Sequence, residues 1–122
     1  MLPKRHRLKT KADFDRVYKQ GRKYYSKNFQ LIVAPQKLEN LPEVFKLPRF
    51  GFVASKKVGK AVMRNKAKRM LREAVQAEFP ELKNDFEAIF IAFNTLPEQK
   101  LSNVENDVKD ILNKAGLLKS ES

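Results

Sequence analysis

The residues of this chain that could do chemistry are mostly cations set close together. Lys56, Lys57, Lys60, Arg64, Lys66, Lys68, Arg69 and Arg72 fall within SKKVGKAVMRNKAKRMLREA, with Asn65 among them. Lysine and arginine at this spacing match successive phosphates of a polyanion, and arginine can grip one phosphate through two parallel hydrogen bonds. Asparagine is a weak helix former, but it carries a donor and an acceptor together, suited to a ribose 2′-hydroxyl or a base edge. A surface asparagine with no task is the plain alternative, and the surrounding cations weigh against it.

A second group with chemical potential is the pair Phe14 and Tyr18, one helical turn apart. Such a pair commonly fills a core; the alternative is a platform on which unpaired bases stack. No catalytic or metal-ligating set accompanies these residues. His6, the single histidine, stands in a basic N-terminal run and reads as solvated, and cysteine is absent. Ser55 has no candidate base beside it, and Val58-Gly59-Lys60 is too little of a phosphate-binding loop to support nucleotide hydrolysis. The acids concentrate in the second half, where they read as solvated helix faces. Any cleavage chemistry therefore belongs to another component.

Charge is segregated along the chain. Residues 1–27 hold ten basic and two acidic side chains and residues 49–72 nine basic and none acidic, whereas residues 73–122 hold ten acidic against five basic. Solubility does not require such segregation. A polyanionic partner rewards it, because clustered cations release condensed counterions on binding; a merely solvated charged face is the alternative.

These groups need elements to position them. At 122 residues the chain is long enough for one domain. No apolar run approaches membrane-spanning length and no secretory signal opens the chain, which predicts a cytoplasmic protein with no membrane partner. Thr10 and Asp13 fit a capping box opening a helix over Lys11–Gln20, with Gly21 as its stop. Arg22–Tyr25, Asn28–Ala34, Arg49–Ser55 and Phe86–Phe93 read as strands, the first at an edge and the last central. Residues 35–48, with three prolines, read as a loop. A helix from Lys60 to Phe79, stopped by Pro80, buries Met63, Ala67, Met70, Leu71, Ala74 and Val75. Its adjoining arc carries Asn65, Lys68, Arg69 and Arg72, with Arg64 near the boundary. A last helix starts at Ser102, with Glu105 completing a capping box, buries Val104, Val108, Ile111, Leu112 and Ala115, and ends at Gly116. An ordered core over 7–116 is expected, with a basic tail over 1–9 and a frayed end over 117–122.

The Lys-Lys-hydrophobe-Gly connector, followed by the Arg64-Asn65-Lys66 helix and its further cations, resembles the signature of the bacterial ribonuclease P protein family. RLKTKADFDRVYKQG, Arg7–Gly21, is similar to that family's first helix. The resemblance implies a single α/β (α+β) sandwich domain of two layers, ordered α-β-β-β-α-β-α, with a left-handed βαβ crossover where the general rule predicts a right-handed one. It also implies a heterodimeric ribonucleoprotein, formed from a monomeric protein and the ribonuclease P RNA, which removes 5′ leaders from precursor tRNA using Mg²⁺ held in the holoenzyme. The protein alone would bind no cofactor. By this resemblance Lys56, Lys57, Lys60, Arg64, Asn65, Lys66, Lys68, Arg69 and Arg72 face the catalytic RNA. Phe14, Tyr18, Gln30 and Ile32 line a leader-binding cleft between the first helix and the sheet. Lys66 stands where the signature has arginine, and Ile32 where some relatives have an aromatic. A ribosomal or RNA-chaperone protein that only stabilises folded RNA is the alternative of a different class; a free-standing nuclease lacks its acid–base residues.

Overall fold

The computed structural model describes residues 6–36 and 48–119, so most of the expected loop lies outside the described residues. Helix α1 spans Lys11–Gln20 and opens as its capping pair requires, with the Asp13 amide donating to Thr10 Oγ1 at 3.1 Å. Gly21 ends it in extended backbone and is needed for space: a Cβ there would lie 2.3 Å from Ile32 Cγ2 and 2.4 Å from the Val17 carbonyl oxygen.

Four strands follow the predicted segments: β1 (Arg22–Tyr25), β2 (Phe29–Pro35), β3 (Arg49–Val53) and β4 (Phe86–Ala92). They form one sheet in the order β1-β2-β4-β3, with β4 antiparallel to β2 and parallel to β3. The nearly unbroken apolar sequence of β4 suits its central place. A parallel pair needs a long crossover. Here it consists of a 3₁₀ turn over Lys56–Val58, helix α2 (Ala61–Ala77) and a second 3₁₀ turn over Phe79–Glu81. Helix α3 (Leu101–Lys114) completes the α-β-β-β-α-β-α order.

Strand alternation divides the apolar residues between two faces. On one, Phe29, Leu31, Phe50, Ala88 and Phe90 meet Ala67, Met70, Leu71, Ala74 and Val75 of α2 and Val104, Val108, Ile111 and Leu112 of α3, forming the main core. On the other, Ile32, Ala34 and Ile89 meet Val17 of α1 and Leu8. The sheet and the α2–α3 pair make the two principal layers, and among the described residues α1 is the helix that covers the far face.

Several local expectations are corrected. His6 is buried rather than solvated: its Nδ1 lies 2.7 Å from the Pro48 carbonyl oxygen and its ring packs edge-on against Phe79. Leu8 is buried too, its amide donating to the Phe50 carbonyl at 2.9 Å, so the Arg7–Leu8 segment pairs with the outer edge of β3. β3 ends at Val53 because Ser55 turns to cap the following 3₁₀ turn, accepting from the Lys57 amide at 3.3 Å. α2 stops at Ala77, ahead of Phe79, and Pro80 sits inside the next 3₁₀ turn. Ser102 lies inside α3, whose N-cap is Lys100 with no side-chain cap; following the buried Leu96–Pro97 turn, the chain enters the helix two residues earlier than a box with Ser102 as N-cap would start it. Gly116 ends the helix as expected, at φ 75°, with the Leu117 amide returning to the Leu112 carbonyl at 2.9 Å. Beyond it the chain does not fray at once: Leu117 and Leu118 are buried, and the Lys83 amide donates to the Leu117 carbonyl at 2.8 Å.

Candidate nucleic-acid interface

The period of α2 does what its sequence requires. With Ala67, Met70, Leu71, Ala74 and Val75 buried, Asn65 and Arg69 are exposed, and Arg64, Lys66, Lys68 and Arg72 are half-buried with their stems on the helix flank. Lys56, Lys57 and Lys60 project from the connector into solvent. Gly59 takes φ 137°, a conformation side chains resist, so the connector can swing into the helix at this point. No acid stands in the first turn of α2, and among the described residues none of these cations is in an ion pair.

A cleft of about 500 Å³ opens between α2, the outer edge of β3 and the Arg7–Leu8 segment. Lys68, Arg69 and Arg72 line its α2 side, extended by Glu73 and Gln76, while Phe14 and Phe52 give it aromatic surface. Phe14 reaches it because Gly51 has no side chain: a Cβ there would lie 2.5 Å from Phe14 Cε1. Phe52 is held by stacking on Phe90, with ring centroids 5.8 Å apart and planes inclined by 11°. An apolar, aromatic floor under a cationic wall suits a nucleotide, whose base is apolar on its faces and whose phosphate is anionic.

Tyr18, Gln30 and Ile32, expected with Phe14 in a cleft between the first helix and the sheet, do not line this one. Tyr18 is 40% exposed and lies outside this cleft; partial burial, with the nearby Asp15 carboxylate, raises its hydroxyl pKa. Gln30 is half-buried on β2, between Tyr25 and Ile91 in register. Ile32 is only 2% exposed and belongs to the core cluster with Val17 and Ile89. The reason is register: alternation turns Ile32 to the α1 side, where Val17 covers it.

The same face of the sheet holds a charge cluster. Glu87 of β4 is 1% exposed, which corrects the view of the acids as solvated helix faces. It accepts from Arg49 Nε of β3 at 2.8 Å and pairs with Arg16 of α1. Asp13 of α1 lies 3.3 Å from Arg16 and 3.5 Å from Arg49. Burial opposes ionisation of Asp13, but the Arg49 guanidinium and hydrogen bonds from Thr10 and Lys9 outweigh it and hold the carboxyl below the usual aspartate range. The hydrogen bond to Glu87, foremost, raises the pKa of Arg16.

Gly51, Phe52, Arg7 and Glu87 were not singled out from the sequence. A glycine between two phenylalanines in a strand signals a close approach, and a lone acid in FEAIFIAF signals a buried cation. Arg7 carried no such signal, because its place depends on the pairing of the N-terminal segment with β3.

Comparison with known proteins decides the family. The family model for ribonuclease P matches residues 2–116. The chain belongs to the ribonuclease P protein family. It is the protein subunit of an endoribonuclease that works in tRNA processing. The protein component of Dictyoglomus turgidum is 37% identical over 124 residues, covering 97% of this chain and 95% of that one. That of Clostridium kluyveri is 33% identical over 116 residues, covering 93% and 97%. The structure of the Staphylococcus aureus RNase P protein superposes with a TM-score of 0.79 at 28% identity, covering 93% of this chain and 97% of that one. The Thermotoga maritima protein, at 24% identity and a TM-score of 0.75, covering 88% and 96%, shares the fold.

Proposed function

We propose that this subunit binds the ribonuclease P RNA through the outer arc of α2 and its connector, and seats the single-stranded 5′ leader of precursor tRNA in the cleft beside Phe14. The carrying observation is the meeting of Phe14 and Phe52 with Lys68, Arg69 and Arg72 around one cavity. A pure phosphate clamp has no use for accessible aromatic surface, whereas an unpaired leader offers base faces to stack. Lys56, Lys57, Lys60, Arg64, Asn65 and Lys66 continue the surface toward the catalytic RNA, so α2 serves both RNAs. Tyr18 and Gln30 lie apart from this cleft and contribute only if the leader extends across the α1 face. The described residues bring together no group of three His, Asp or Glu that could hold a metal ion; in this proposal the Mg²⁺ of the holoenzyme is held by RNA.

The test is reconstitution with the cognate RNA. Protein should raise cleavage of precursor tRNA at low Mg²⁺ and should cleave nothing alone. Phe14→Ala should weaken precursor binding relative to mature tRNA by about fivefold or more, since base–aromatic stacking is worth about 1–3 kcal/mol. An unchanged ratio in a variant that melts like the wild type would remove the leader from this cleft. Binding of the RNA without stimulation of cleavage would favour a chaperone role.

A further inference from the structure

We propose that Asp13, Arg16, Arg49 and Glu87 form a positioning clamp that sets the seat of α1 on the sheet and thereby the place of Phe14 in the cleft. Three elements meet in the cluster: Asp13 and Arg16 from α1, Arg49 from β3 and Glu87 from β4. Its formal charges cancel, so it adds nothing to the attraction for RNA, and it withdraws Arg49 from the basic block and Arg16 from the first helix. Burial of apolar surface does not explain it either. Val17, Ile32, Ala34 and Ile89 already supply that on this face, and apolar side chains could replace a buried ion pair without loss of stability.

Charged hydrogen bonds differ from apolar contacts in having direction. α1 has only ten residues, too few to hold a helix by itself, and apolar packing alone leaves it free to slide or roll. Arg49 meets Glu87 and Asp13 together, and Glu87 meets Arg16 one turn further along α1, which fixes both the roll and the position of the helix. The consequence falls on the neighbouring residue. Phe14 follows Asp13, and Gly51 lies two residues beyond Arg49 on the same face of β3, so the Asp13–Arg49 pair sits beside the contact between the Phe14 ring and the Gly51 backbone.

This inference rests on the leader-binding reading for its effect on function, but its structural part can be measured independently. Asp13→Asn and Glu87→Gln are compared with the wild type in the full chain and in the reconstituted holoenzyme. The Phe14 ring lies against Gly51, so its ring current should displace the Gly51 α-proton resonances in the wild type; in both variants these should move toward ordinary values. Amide exchange in α1 should quicken more than in α3. The ratio of precursor to mature tRNA affinity should fall by about three- to tenfold, a part of the loss expected from deleting the stacking ring. The salt slope of RNA binding should not move, because no phosphate contact is lost. Asp13→Asn is near the surface and guards against a Glu87→Gln protein that fails to fold. Unmoved Gly51 resonances and unchanged α1 exchange would overturn the clamp. So would a loosened α1 with an unchanged ratio, provided that Phe14→Ala does change it. If Phe14→Ala leaves the ratio intact, the leader reading fails by itself, and resonance shifts with faster exchange confined to α1 would still support the clamp.

Discussion

Replacing Gly51 by alanine puts a methyl group where the Phe14 ring now lies. The new carbon would be 2.5 Å from Cε1 and 2.6 Å from Cζ of Phe14, and 3.3 Å from Leu8 Cδ1. Carbon atoms pack at about 3.5–4.0 Å, so the ring must retreat by about 1 Å, away from the strand. Forcing extra volume into such a site costs about 1–3 kcal/mol. Gly51 lies in ordinary strand backbone, so alanine recovers about 0.4–1 kcal/mol by restricting the unfolded chain. The net loss is about 1–2 kcal/mol, seen as a melting temperature several degrees lower. The displaced ring should also lower the ratio of precursor to mature tRNA affinity in the holoenzyme. A double-mutant cycle isolates the cause. In a Phe14→Ala background the methyl group enters vacated space, and Gly51→Ala should become neutral or stabilising. An equal cost in both backgrounds would refute the packing argument, and a stabilised single variant would refute the close approach itself.

Two further outcomes are expected. Arg69→Ala and Arg72→Ala should each reduce the salt slope of RNA binding by up to about one, whereas Asn65→Ala should weaken binding with little change of slope; slopes that stay constant in both arginine variants would turn this arc away from RNA. For Asp13, the native pKa lies below the unfolded one, so its stabilising contribution is complete above the unfolded value and disappears as pH falls through the native value. The stability gap between wild type and Asp13→Asn should therefore be constant near neutrality and close in acid below about pH 4, and a gap persisting at lower pH would show that the carboxylate is not the source.

Much of the fold was legible because local rules and tertiary demands agree in it. The Thr10–Asp13 cap, the apolar stripe of α2, the apolar run of β4 and the stop at Gly116 each express a short-range preference that packing leaves intact. The cationic arc was legible for the same reason, since a buried stripe at helical spacing determines which residues turn outward. The errors fall where contacts are long-range. His6 and Leu8 look like a solvated tail until Pro48, Phe50 and Phe79 are brought to them, and Leu117 and Leu118 look frayed until the segment after α2 receives them.

The sequence by itself determined that a basic helix would present Arg64, Asn65, Lys68, Arg69 and Arg72 away from a core, because helical period depends only on neighbours in the chain. Tertiary structure alone decided what that helix faces. β3 carries Phe14 on one face of Gly51 and Phe52 at its edge, which brings aromatic surface to the cations of α2 and leaves Ile32 buried beneath Val17. It likewise matched Glu87 with Arg16 and Arg49, partners 71 and 38 residues away, because burying an acidic side chain in a central strand is costly unless the fold brings hydrogen-bonding cations to it.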